Sequence, residues 1–92
     1  MNEPVDIYDF GDYKTYLHTK VGPRTTRKGI RGALARTLRC QPTYVSQVLY
    51  GRAHFSLEQA ELVSDFFGHT SDERHYLILL LQKDRAGTKR LE

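Results

Sequence analysis

Helix start and stop signals recur along this sequence and divide it into short helical segments. Ser56-Leu-Glu-Gln59 and Thr70-Ser-Asp-Glu73 are capping boxes, in which side chains three residues apart satisfy free backbone amides at the start of a helix. Glycine or proline interrupts the apolar pattern at Gly22-Pro23, Gln41-Pro42, Gly51 and Gly68. This punctuation predicts an all-α protein.

The apolar residues between these signals recur at helical spacing. Phe10, Tyr13, Tyr16 and Leu17 form one stripe, for example. Five helices are predicted, at about residues 9–20, 27–38, 42–50, 57–67 and 71–84. The run from Tyr76 to Leu81 also fits a buried strand, but a helix is favoured because no other strand candidate exists to pair with it. The 92 residues contain no repeat and no linker, so a single domain over residues 1–92 is expected.

The charges are distributed very unevenly along the chain. Between Tyr13 and Leu57 there are nine Lys or Arg residues and no Asp or Glu, while all eleven carboxylates lie at positions 3–12 and 58–92. The formal net charge of +3 conceals this asymmetry. A long stretch of one sign is typical of a surface that meets phosphates, although an ordinary solvated face is the simpler alternative. We therefore expect a nucleic-acid partner.

Composition excludes several other classes of protein. No apolar run is long enough to span a bilayer and no secretion signal is evident, so a cytoplasmic protein without membrane association is expected. Cys40 is the one cysteine, which rules out an intramolecular disulfide or a multi-cysteine zinc site and leaves a small apolar turn residue as its simplest role. No cofactor motif or metal site is recognised. The one clustered polar set, His69, Asp72, Glu73 and His75, lacks the spacing of a metal or acid–base site, so no enzyme is expected.

Residues 31–51 have the pattern of a helix-turn-helix, in which two short helices are separated by a brief turn. Ala35 is small, as a close helix crossing requires. The apolar residues expected to hold the two helices together are Leu34, Leu38, Val45 and Val48. The polar face expected to point outward from the second helix contains Thr43, Tyr44, Ser46, Gln47 and Tyr50.

Residues 34–68 resemble the Cro and phage-repressor (XRE-type) helix-turn-helix family, over the stretch LARTLRCQPTYVSQVLYGRAHFSLEQAELVSDFFG. The positions that carry the resemblance are Leu34-Ala35, Val45, Val48, Gly51 and Ser56-Leu57. With the flanking helices, residues 9–84 are also similar to the N-terminal domain of bacterial helix-turn-helix proteins in which a longer C-terminal region of unknown function follows. The chain departs from the family where Arg39 replaces the usual turn glycine and where Gln41 replaces a better helix cap.

The resemblance implies a five-helix, lambda-repressor-like domain that acts as a sequence-specific DNA-binding transcriptional regulator. Helix 42–50 would lie in the major groove, where Gln47 would contact adenine. The residues expected to contact DNA are Lys28, Arg31, Gln41, Thr43, Tyr44, Ser46, Gln47, Tyr50, Arg52 and His54. Tyr44 and Tyr50 could instead pack on neighbouring helices, and His54 could be an ordinary loop histidine.

The fourth and fifth helices carry more apolar surface than one core-facing stripe requires. Leu62 and Phe66 point away from the stripe of the fourth helix, and residues 76–81 are apolar on all sides of the fifth. Either these faces pack against each other or they form a homodimer interface, and we expect the dimer. The same surplus favours the alternative function, a protein-interaction module that is antitoxin-like or an accessory partner and reads no bases.

Overall fold

The protein is all-α. The structure, a computed structural model, describes residues 5–21 and 28–90, with the backbone alone described at residues 28 and 88–90. Within these residues there are five α-helices and no strand, which confirms the predicted fold class. A short 3-10 turn, Ile7–Asp9, precedes the helices α1 (Tyr13–Val21), α2 (Lys28–Leu38), α3 (Pro42–Tyr50), α4 (Leu57–Phe67) and α5 (Ser71–Arg90).

Local capping explains why α4 and α5 begin where the sequence predicted. The hydroxyl of Ser56 accepts from the amide of Gln59 (3.0 Å), and the Gln59 side chain accepts from the Ser56 amide (2.9 Å). Thr70 and Glu73 form the second box in the same way. These bonds satisfy amides that a helix start leaves free, so they define the first residue of each helix.

The first helix begins later than predicted. We expected it to start at Asp9, but the backbone is extended at Phe10 and α1 begins at Tyr13. Asp6 caps the short 3-10 turn, whereas Asp12 accepts from the amide of Thr15 (2.7 Å) and so caps α1. The sequence has three aspartates in this region, Asp6, Asp9 and Asp12, and it did not indicate which of them would cap the helix.

The fifth helix ends later than predicted, at Arg90 rather than near Asp84. The apolar pattern stops at Leu81, and the expected end followed it. Beyond Leu81, Lys83 donates to the carbonyl of Gly11 (2.6 Å) and Asp84 accepts from the amide of Tyr13 (3.2 Å). These contacts with the start of α1 hold a polar part of α5 that has no apolar face.

The second helix and the loop before it are only partly comparable with prediction. We expected α2 to begin at about Arg27, and the described helix begins at Lys28. The predicted break at Gly22-Pro23 and the basic loop that follows fall on residues 22–27, outside the described residues.

The turn between α2 and α3 is closed by a residue in a left-handed conformation. Arg39 has φ 58°, as expected for a non-glycine residue at the position where the resembled family has glycine. Its amide donates to Arg36 O (3.1 Å) and the amide of Cys40 donates to Ala35 O (3.0 Å), which is the Schellman arrangement. Such a conformation costs a non-glycine residue about 1–2 kcal/mol, and the two bonds offset part of that cost.

The core lies among the five helices: α5 packs on α1 and α4, α2 packs on α3 and α4, and α1 also packs on α3. Leu34, Ala35, Leu38, Val45 and Val48 are all buried, as predicted for the residues that hold α2 against α3. Among the described residues, no helix is both long enough and apolar enough to cross a membrane.

Most of the surplus apolar surface of α4 and α5 is used within the chain. Leu62, Phe66, Tyr76 and Ile78 are half-buried and pack against the core. Leu79 is the exception in the run from 76 to 81, with 48% of its surface exposed. Packing between the two helices therefore accounts for most of the pattern that suggested a dimer.

Candidate nucleic-acid interface

Helix α3 has one buried face and one face open to solvent. Val45, Val48 and Leu49 are buried, and Gln41, the N-cap residue, forms no side-chain capping bond. The exposed face contains Gln41, Pro42, Thr43 and Gln47, with Ser46 half-buried beside them. Thr43 and Gln47 therefore present hydrogen-bonding side chains to solvent on consecutive turns of the same helix.

The two tyrosines of α3 make contacts within the chain. The Tyr44 hydroxyl donates to the carbonyl of His54 (2.6 Å), and its ring packs against Phe55 with the centroids 6.0 Å apart. Tyr50 is 43% exposed, but its ring packs edge-on against His18 at 4.7 Å and its hydroxyl accepts from Arg31 (3.3 Å). Both residues thus brace α3, which is the alternative that the sequence left open for them.

The loop after α3 is drawn tightly against the helix end. A side chain at Gly51 would place its Cβ 2.8 Å from the carbonyl oxygen of Gln47, so only glycine fits. Lys14 of α1 donates to the carbonyl of Gly51 (2.8 Å). Arg52 is exposed, His54 is half-buried and Phe55 is buried. The loop therefore offers the Arg52 cation to solvent while Phe55 anchors it in the core.

Arg31 is almost entirely buried at the junction of α2 with α3, with 9% of its surface exposed. Its Nη2 donates to the Tyr50 hydroxyl, but its buried Nε has no hydrogen-bond partner. No carboxylate in the described part of the chain pairs with it. A buried cation without a counterion is costly, so an external anion beside it would be stabilising.

The cations around α3 are not neutralised by ion pairs. In residues 5–21 and 28–90 the salt bridges are Arg74–Asp65 and Lys83–Asp84, both on α4 and α5. The cations without such a partner near α2, α3 and the following loop are Lys14, Arg31, Arg36, Arg39 and Arg52. The side chain of Lys28, a predicted contact, lies outside the described set. Among the described residues, these cations of the carboxylate-free stretch therefore keep their charge without an ion pair.

Two residues that position the loop after α3 were missed by the sequence analysis. Lys14 belongs to the stretch without carboxylates between Tyr13 and Leu57, but its place on α1 gave no sign that it would reach the loop after α3. Phe55 is an isolated apolar residue in a polar loop, and that isolation was the available signal for its burial.

Tyr16 and His69 tie α1 to the turn between α4 and α5. The Tyr16 hydroxyl hydrogen-bonds to Nε2 of His69 (2.6 Å), whose Nδ1 lies 2.9 Å from the buried hydroxyl of Ser64. Burial raises the pKa of Tyr16 to about 12. Burial also lowers the pKa of His69; the charge of Glu73 raises that pKa, and the charges of Lys20 and Arg74 lower it. The structure therefore favours a neutral imidazole at this position.

Tyr13 and His54 make the matching connection at the loop after α3. The Tyr13 hydroxyl lies 2.7 Å from Nδ1 of His54. Burial, assisted by Lys14 and Arg85 and opposed by Asp84, lowers the pKa of His54. Two neutral histidines thus help to hold α1 in place.

The free energy of unfolding should fall as the pH drops below about 6.5, the pKa of an unfolded histidine. Both histidines have a lowered pKa in the folded state, so the unfolded chain binds more protons in this range and acid favours unfolding. Urea unfolding between about pH 7.5 and 5.5, above the range where most carboxylates titrate, measures the slope.

His69→Gln and His54→Gln should each reduce that slope. His75→Gln serves as the matched control because His75 is exposed on α5 and should leave the slope unchanged. Equal slopes in the wild type and the His69→Gln, His54→Gln double variant would contradict the assignment.

Other kinds of site find little support in the geometry. Within the described residues, no group of three or more His, Cys, Asp or Glu side chains is arranged to hold a metal ion. Cys40 is half-buried, and burial raises the pKa of its thiol. The described residues thus form an all-α fold in which the cations near α3 have no salt-bridge partner.

Comparisons of the chain with protein-family models, with curated proteins and with solved structures each gave no match. The likeness to the Cro and phage-repressor family is therefore a hypothesis that depends on the residues quoted for it.

Proposed function

We propose that the protein is a sequence-specific double-stranded DNA-binding transcriptional regulator of the lambda-repressor-like helix-turn-helix type, with α3 in the major groove. One observation carries the proposal: the cations next to the exposed polar edge of α3 form no salt bridge with any carboxylate of the described residues. Such a surface attracts a polyanion, while the short polar side chains within it are suited to reading base edges.

The exposed residues divide naturally into two roles. Gln47, in the middle of α3, has a carboxamide that suits the donor and acceptor pair of adenine in the major groove. Arg52 at one end of α3 and Arg39 at the other are exposed cations that suit phosphates on either side. Thr43 and Gln41 lie between these extremes at the start of the helix. In this arrangement Tyr44 positions the loop and reads no base.

Gln47→Ala should weaken binding to the preferred duplex by roughly 1–3 kcal/mol and relax base preference at one position. Arg52→Ala should instead weaken binding to all duplexes similarly, and reduce the slope of log K against log salt by about 0.9, because one phosphate contact is lost. The preferred duplex is first selected from a random oligonucleotide pool, and affinities are then measured by fluorescence anisotropy at several salt concentrations.

The chain offers matched controls for both substitutions on α5. Gln82→Ala removes an exposed glutamine and Arg74→Ala an arginine, both outside the proposed surface, so neither should change affinity. Wild-type protein that binds no duplex, or binds all sequences equally, would overturn sequence-specific regulation. The latter result, with a stoichiometric protein partner, would favour the interaction module.

A homodimer through α4 and α5 forms part of the proposal. Its support is the exposed side chain of Leu79, bordered by half-buried apolar residues of the two helices. A dimer with two-fold symmetry reads an inverted repeat, so selection should then recover a palindromic sequence.

A further inference from the structure

The exposed end of α5 lies beside the loop that follows α3. Asp84 accepts from the amide of Tyr13, and Lys83 donates to the carbonyl of Gly11, so two consecutive residues of α5 contact the start of α1. Leu81 is the last buried apolar residue of the helix. The part of α5 beyond it therefore extends past the core while staying close to α1.

The start of α1 in turn contacts the loop. Tyr13 hydrogen-bonds to His54, Lys14 donates to Gly51, and the carbonyl of His54 accepts from Tyr44 on α3. Three residues, Asp84, Tyr13 and His54, thus connect α5 to Tyr44 through consecutive hydrogen bonds. The Asp84 carboxylate therefore lies on the same side of the molecule as the loop.

Arg85 gives this region its charge. It is exposed, and no salt bridge of the described residues includes it. It follows directly after Asp84, the residue through which α5 contacts the start of α1. Its neighbour Asp84 is occupied by the amide of Tyr13 and by Lys83. Lys14, which is also without an ion pair, lies on the same side.

We propose that Arg85 on α5, together with Lys14 on α1, forms a second phosphate-binding edge that contacts the backbone of the duplex next to the segment read by α3. The inference rests on the proposed function and adds to it a contact outside residues 31–54. A polyanion is the occupant that fits, because both side chains are cations and neither has a carboxylate partner in the described residues.

Arg85→Gln tests the inference, with Arg74→Gln as the control because it removes the same charge from the same helix. Duplex affinity is measured by fluorescence anisotropy from about 50 to about 200 mM salt. Arg85→Gln should reduce the slope of log K against log salt by about 0.9, so that the ratio of wild-type to variant affinity shrinks about threefold over this range. Arg74→Gln should retain the wild-type slope.

A shortened duplex provides the second measurement. Removing the base pairs that flank the selected site should weaken wild-type binding more than binding by Arg85→Gln, because the variant retains only the Lys14 part of the flanking contact. An unchanged salt slope in Arg85→Gln, while wild-type protein binds the duplex, would overturn this inference alone. Failure of wild-type protein to bind any duplex would overturn the proposed function as well.

Discussion

Replacing Phe55 with alanine is expected to lower the free energy of unfolding by about 3–5 kcal/mol. The side chain is 2% exposed and its ring packs against Tyr13 and Tyr44, with centroids 6.5 and 6.0 Å away. Removing it would leave a cavity beside Leu17 and Leu77, which line the same part of the core. Since small domains are typically stable by about 5–15 kcal/mol, this one substitution should remove much of the stability.

Urea unfolding followed by circular dichroism measures the effect, with Leu57→Ala as the control. Leu57 lies two residues further along the chain and is 41% exposed, so its truncation should change stability by no more than about 0.5 kcal/mol. A loss of less than about 1 kcal/mol in Phe55→Ala would show that the loop is not anchored through this ring.

Arg31→Met should separate stability from DNA binding. Methionine fills a similar volume and removes a buried Nε without a partner, so the free energy of unfolding should stay the same or rise. Binding to the selected duplex should weaken by about 1.5–3 kcal/mol, because a charge-assisted hydrogen bond to phosphate is lost. Thermal unfolding and fluorescence anisotropy on the same preparations measure the two effects.

Arg36→Met is the matched control for this prediction. Arg36 lies on the same helix and is exposed, so the substitution removes the same charge without touching the buried site. Its free energy of unfolding should be unchanged within about 0.5 kcal/mol. Arg31→Met protein that binds DNA as the wild type does would contradict the phosphate contact. A destabilisation of Arg31→Met by more than about 1 kcal/mol would contradict the inference that burying Arg31 is unfavourable.

Local sequence signals predicted a helix end correctly where all the groups that hydrogen-bond to that end lie within a few residues of it. The capping boxes at Ser56 and Thr70 each span four residues, and both helix starts were predicted correctly. Gln41-Pro42 and Gly51 bounded α3 in the same way. The predicted strain at Arg39 was also correct, because a helix that continues into a tight turn needs a left-handed residue there.

Local sequence signals did not predict a feature when the contact that determines it is made by residues far along the chain. Lys83 and Asp84 on α5 contact carbonyl and amide groups of Gly11 and Tyr13, more than 70 residues away. No periodicity in residues 82–90 could reveal them. The inward orientation of Tyr44 likewise depends on the carbonyl of His54, which only the folded loop brings into reach.

Amino-acid order alone specified the five helices and the basic segment, because caps, breaks and charge are properties of neighbouring residues. It also indicated which side of α3 would be buried. The folded chain decided where these cations lie: it buried Arg31 with no salt bridge to any carboxylate of the described residues, and it brought Lys14 to the loop after α3. Packing between distant helices determines these positions, and such packing has no local signature in the sequence.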